Sequence, residues 1–166
     1  MPTKTKVKEL MTTDVIYFKP GDKIKTVTDT LGTKKISGAP VIDEGEKVVG
    51  VISESDIMNL TASIPLPDIN LDPFDPLAFF NTFSHLRKVS HMWEDIGNQC
   101  ETLLNGTVED VMSRKTVTVT PDDYISDVAR LMHKNDFNRL PVVDKNGKLV
   151  GLIARGDVIG ALVSKK

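Results

Sequence analysis

Two stretches of this chain repeat each other without a gap, and that repetition limits the fold more than any other feature. Ile36 to Ile57 reads ISGAPVIDEGEKVVGVISESDI, and Phe137 to Val158 reads FNRLPVVDKNGKLVGLIARGDV. Pro40 answers Pro141, Asp43 answers Asp144, Gly50 answers Gly151 and Asp56 answers Asp157, each pair 101 residues apart. The register runs from Val7 and Val108 through Ile57 and Val158, with Met11 answering Met112. An ungapped duplication of this kind marks two copies of one supersecondary unit, each with an apolar face that its twin must cover.

Each copy reads as β-α-β-β-α. A short helical turn opens it, at Val7 to Met11 and again from Val108. Val15 to Phe18 and Val117 to Val119 are strand candidates. Pro20 suits the first turn of a following helix, and Thr120-Pro121-Asp122-Asp123 combines a hydroxyl cap, a first-position proline and acids. Ile24, Val27 and Leu31, and then Ile125, Val128, Leu131 and Met132, recur at helical spacing. A hairpin follows, with Leu140 to Val143 and Leu149 to Ile153 as its strands and Gly147 free to take positive φ at the turn. Asp157 then falls at or just inside a helix start, where a carboxylate is favoured. The expected fold class is α/β (α+β), with two-fold pseudo-symmetry.

The copies occupy 7–61 and 108–163, and residues 62–106 break the pattern. Prolines crowd Ile64 to Pro76, a phenylalanine cluster surrounds Leu77, and Ser84 to Leu104 reads as helical. At 166 residues the chain can bury a real core, and its net charge of −2 gives no basic footprint for nucleic acid. A single cysteine, Cys100, excludes an internal disulfide and fits a reducing cytoplasm. No stretch approaches the roughly 18 apolar residues of a membrane span. The expectation is a soluble cytoplasmic protein.

The repeated hydrophobic-Pro-Val-(Val/Ile)-Asp, then Val-Gly-hydrophobic-Ile, then x-x-x-Asp resembles the cystathionine-β-synthase (CBS) domain, here as a tandem pair, or Bateman module. The resemblance covers about two-thirds of the chain and says nothing of the insertion. It implies two motifs packed through their sheets, with two clefts between them. Such clefts commonly take adenosine-containing ligands: AMP, ADP, ATP or S-adenosylmethionine. It also implies a homodimer, a disc of four motifs, and regulation of a partner protein without chemistry of its own.

Ligand-binding members carry Ser/Thr-x-x-Asp after the last strand, the hydroxyl meeting phosphate and the aspartate meeting ribose. Ser53-Glu54-Ser55-Asp56 matches fully. Ala154-Arg155-Gly156-Asp157 keeps the aspartate and loses the hydroxyl, with Arg155 a substitute phosphate contact. An ionised carboxylate can accept both vicinal ribose hydroxyls. Asn138-Arg139 resembles the His-Arg segment that reaches phosphate in the nucleotide-sensing subunit of AMP-activated protein kinase. The first copy has uncharged Ser37-Gly38 there. On this reading the Asp157 cleft is the better phosphate site. By position, Lys19 and Ile24 are the adenine side of the Asp157 cleft, and Thr120 and Ile125 that of the Asp56 cleft.

Plainer readings stand beside these. Asp56 and Asp157 also serve as helix-start acids, Arg139 as a surface arginine, and Ile24 and Ile125 as core. His85, His91 and Asp95 are too scattered for a metal site, and His133 reads as a helix-surface residue. There is no Gly-Lys-Ser/Thr phosphate loop, and no nucleophile, base and orienting group can be assembled. A regulatory binding module is the expectation, with a ligand-free dimerisation or interaction module as the alternative.

Overall fold

The computed structural model describes residues 4–61 and 105–163. The proline-rich stretch, the phenylalanine cluster, His85, His91, Asp95 and Cys100 lie outside them. In chain order the elements are a 3-10 turn at Val7–Glu9, α1 (Ile24–Lys34), β1 (Gly38–Ile42), β2 (Val48–Ser53), α2 (Glu54–Thr61), α3 (Val108–Val111), α4 (Ile125–Asn135), β3 (Arg139–Val143), β4 (Leu149–Ala154) and α5 (Arg155–Val163). The duplication is therefore structural as well as sequential, and the fold is mixed α+β.

Helix faces follow the apolar spacing. Ile24, Val27 and Leu31 are buried on α1, and Ile125, Val128 and Met132 on α4. Each hairpin is an antiparallel pair, β1 with β2 and β3 with β4, with a register shift at Val41/Ile42 and at Val142/Val143. Gly147 takes φ +82° in the second turn, and Glu46 takes φ +64° at the matching place in the first.

Two expectations about the leading segments need correction. The strand candidates Val15 to Phe18 and Val117 to Val119 shrink to single parallel bridges, Phe18 to Val41 and Val119 to Val142. The helices begin four residues after the prolines, at Ile24 and Ile125, and their cap residues Lys23 and Tyr124 make no side-chain cap bond. The cause is a tight turn at each site. The Lys19 amide donates to Asp22 at 2.8 Å and the Thr120 amide to Asp123 at 2.7 Å. Asp22 and Asp123 return their own amides to the carbonyls of Lys19 and Thr120. Pro20 and Pro121 thus sit at the second position of β-turns, which their fixed φ favours, and not in a helix.

The copies interlock by exchanging their leading turns. Val7 is fully buried in the core built by the second copy around Ile125, Leu140 and Ile153. Val108 and Met112 are buried in the first copy's core around Ile24, Val41 and Ile52. Burying a valine side chain contributes about 1.5–3 kcal/mol. Backbone bonds repeat the exchange: Val7 N to Asp123 O at 2.9 Å answers Val108 N to Asp22 O at 2.8 Å. Ile125 N to Thr5 O answers Ile24 N to Gly106 O, both at 3.0 Å. At the pseudo-dyad the hairpin turns meet in an antiparallel bridge between Lys47 and Lys148.

The repeated glycines make this interlock fit. A Cβ on Gly50 would lie 2.7 Å from Met112 Sδ and 3.1 Å from the Ser113 carbonyl. On Gly151 it would lie 2.7 Å from Met11 Sδ and 3.1 Å from the Thr12 carbonyl. Each glycine admits the segment that arrives from the other copy, so Gly50→Ala is expected to cost about 1–3 kcal/mol in urea unfolding. A loss below about 0.5 kcal/mol would contradict the packing argument.

Asp122 fastens the exchanged N-terminal turn, accepting from Lys6 Nζ at 2.9 Å and Lys8 Nζ at 3.0 Å. Hydrogen bonds from Lys6 and then Lys8 lower its pKa to about 2. A carboxylate depressed in the folded state stabilises above its unfolded pKa, and that stability is lost as pH falls through the folded value. The Asp122 contribution should therefore be present at neutral pH and fade between about pH 4 and pH 2. Asp122→Asn is expected to lower the thermal midpoint at pH 7 and to differ little from the parent near pH 2. An equal deficit at both pH values would refute the pairing.

Candidate functional site

The turn from β2 into α2 carries the full Ser-x-x-Asp sequence. Asp56, third residue of the helix, reaches back with Oδ2 to accept from the Ser53 amide at 2.7 Å and the Ser53 hydroxyl at 2.6 Å. Asp157 does the same with the Ala154 amide at 2.9 Å. Both carboxylates hold a helix start through one oxygen. Oδ1 takes none of these bonds, which leaves an acceptor for another donor. The Ser53 hydroxyl, expected near phosphate, is engaged by Asp56.

A cavity of about 330 Å³ opens beside Asp56. One wall is the Ser53–Asp56 turn with Ser37 of the first copy. The facing wall belongs to the second copy: Lys115, Thr116 and Val117 before its parallel bridge, and Asn138 and Arg139 at the start of β3. Ser55 lines it too. The cavity therefore exists only because the copies interlock.

Arg139 is half-buried and donates to the Ser37 hydroxyl of the other copy. Among the described residues it has no carboxylate within 4.0 Å. Burial pulls its pKa below the ordinary arginine value, partly offset by the charge of Glu54. Gly38 gives the guanidinium room: a Cβ there would lie 2.6 Å from Arg139 Nη1. Thr116 Oγ1 is buried and has no hydrogen-bond partner among the described residues. Lys115 is exposed and makes no ion pair among them. The site thus gathers a half-buried cation, a second cation, an unused hydroxyl and three acids, Asp56, Glu54 and Asp136. That is the donor and acceptor set for an anion joined to a diol.

The expected grouping of these residues needs correction. Arg139 and Asn138 stand with Asp56, Ser53 and Ser55, and not with Asp157. The basis for ranking the Asp157 cleft first is therefore removed. The reason is the interlock, which turns the start of each hairpin toward the other copy. Arg155 is held by its own copy, donating to Asp136 at 3.0 Å and to the Phe137 carbonyl at 3.1 Å.

The residues expected on the adenine side do not line this cavity. Ile24 and Ile125 are 0% exposed and belong to the core, as the plainer reading had it. Lys19 is exposed and paired with Glu44 at 2.9 Å, and Thr120 lies in the turn closed by Asp123. Thr116 and Val117 occupy the cavity wall instead. Lys115 and Thr116 had no place in the sequence reading, and Val117 stood there only as strand; all three lie three to five residues ahead of Thr120 and so beside the parallel bridge at Val119. His133 is exposed, and no group of three or more metal-ligating side chains occurs among the described residues.

Known proteins share this duplicated fold. A family profile described as CBS domain matches residues 7–63 and 108–164. MJ1426 of Methanocaldococcus jannaschii is 39% identical over 158 residues, covering 95% of this chain and 90% of the relative. CBSX2 of Arabidopsis thaliana, a chloroplastic CBS domain-containing protein, is 33% identical over 151 residues, and the chain spans 58% of its length. A crystal structure of CBSX2 in complex with AMP superposes with a TM-score of 0.67 at 28% identity, covering 95% of this chain and 96% of that one. Methanocaldococcus jannaschii MJ1225 superposes with a TM-score of 0.72 at 26% identity, over 96% of this chain and 48% of its own. No helix among the described residues is long and apolar enough to cross a membrane. With both copies matched and interlocked in this way, the chain belongs to the CBS domain family, as a tandem pair.

Proposed function

We propose that this protein is a regulatory module that binds an adenosine-containing ligand between Asp56 and Arg139 and passes its occupancy to a partner protein. The observation that carries the reading is the half-buried Arg139 guanidinium with no carboxylate partner among the described residues, facing the cavity with Asp56 opposite. A half-buried cation whose charge is only partly offset by Glu54 is costly, and an anionic ligand supplies further compensation. In this arrangement Asp56 Oδ1 accepts from ribose, Arg139 holds phosphate with Asn138 and Lys115 beside it, and Thr116 and Val117 bound the base. CBSX2, the relative solved with AMP, supports an adenine nucleotide of that kind. ADP, ATP and S-adenosylmethionine belong to the same ligand class. The protein performs no catalysis on this reading, and its place of action is the cytoplasm.

The alternative, an interaction module, rests on a different observation. Met58 on α2 and Ile159 on α5 occupy matching positions and are 66% and 53% exposed. A second copy covering both would give a homodimer. The two readings are compatible, since a dimer of such pairs could carry the signal through its geometry.

Calorimetric titration of the full chain with AMP, ADP, ATP and S-adenosylmethionine tests the ligand. Heat from at least one of them is expected, and none at millimolar levels, with no thermal shift, would sink the proposal. Arg139→Gln should weaken nucleotide binding by about tenfold or more, the worth of a charged hydrogen bond. Asp56→Ala should weaken it too, and should cost about 1 kcal/mol of stability without ligand because the helix start loses its acceptor.

A further inference from the structure

The pseudo-dyad relates two clefts, but it does not relate two equal walls. The bridges prove the correspondence: Thr12 to Leu152 in one half matches Ser113 to Val51 in the other. At matched positions the second cleft exchanges Arg139 for Gly38, Lys115 for Asp14, Thr116 for Val15 and Ser53 for Ala154. Every cation and hydroxyl in that set disappears, and one cation becomes an acid. Asp157 keeps the carboxylate of Asp56, and Thr12 keeps the hydroxyl of Ser113.

At two further matched positions the second cleft exchanges the cavity-lining acids Glu54 and Asp136 for the cations Arg155 and Lys35, and neither cation stands at the place of Arg139. Arg155 is tied to Asp136 and the Phe137 carbonyl. Lys35 answers Asp136, a position whose side chain is 95% exposed in the other copy. The asymmetry also has a steric cause. Any side chain on residue 38 would place its Cβ 2.6 Å from the Ile52 carbonyl oxygen as well as 2.6 Å from Arg139 Nη1. Seating a guanidinium in the first cleft therefore requires a glycine where the second cleft would need its own.

Resting on the adenosine-ligand reading above, we propose that each chain binds one phosphorylated nucleoside, in the Asp56–Arg139 cleft, and that the Asp157 cleft takes no phosphate. The 5′-phosphate is then the discriminating group. A nucleoside without it loses the contacts of Arg139 and Lys115.

The test is parallel calorimetric titration of the full chain with AMP and with adenosine. The expected result is one AMP per chain, bound about tenfold or more tighter than adenosine. That preference should fall toward unity in Arg139→Gln and also in Lys115→Asp, an exposed substitution that installs the second cleft's charge without touching the core. It should be unchanged in Arg155→Gln. Two equivalent AMP molecules per chain would overturn the inference, as would a preference that follows Arg155→Gln and ignores Arg139→Gln. Adenosine binding as tightly as AMP would overturn it while leaving the adenosine-ligand reading in place. Failure of both AMP and adenosine to bind would also overturn it, and the adenosine-ligand reading falls with it only where ADP, ATP and S-adenosylmethionine give no heat either.

Discussion

The burial of one valine from each copy in the other copy's core is the interaction on which this molecule depends. Val7 and Val108 are fully buried, and each sits among residues that follow it by a hundred positions or precede it by more than fifty. Neither hairpin with its helix closes its own core. A two-stranded sheet is marginal alone, and here each obtains its covering from the partner copy's leading turn. The repeated Gly50 and Gly151 follow from this contact, because the arriving methionine and backbone leave no room for a Cβ. The Pro-containing turns follow too, because the carbonyls of Pro20 and Pro121 accept from Glu109 and Lys8 of the exchanged segments.

The same interlock makes the candidate cleft. A cavity wall drawn from both copies couples occupancy to the relation between them. Arg139 of the second copy already bonds Ser37 of the first, so a phosphate that engages Arg139 acts on a contact between copies. Asp56 has a double role that needs no compromise. One oxygen holds the start of α2 and the other takes no part in that bond, so on the proposed reading the carboxylate is oriented before a ligand arrives, which lowers the cost of binding.

Much of this was legible in the residues. The helix faces of α1 and α4, both hairpins, the Gly147 turn and the position of Asp157 just inside a helix all depend on neighbours within a few residues. Local periodicity and turn chemistry report such features directly. The helix starts were harder. Asp22 and Asp123 look like first-turn acids, but their carboxylates close a preceding β-turn, and sequence alone does not say which amide a carboxylate will choose. Ile24 and Ile125 were readable as core or as ligand-facing. Only burial from a distant segment decided between them.

By itself the sequence determined that two equivalent units exist, what each contains and that each carries an aspartate at the head of its last helix. These are short-range matters, governed by backbone preference and apolar spacing. The tertiary structure alone decided which cation shares a cleft with which aspartate. Arg139 and Asp56 are 83 residues apart, while Arg139 and Asp157 are 18 apart within one copy, and nearness in sequence pointed to the wrong pair. The exchange of leading turns places each hairpin's first strand across from the other copy's last turn. A side chain's cleft is set by that crossing, a contact between distant segments that no local pattern encodes.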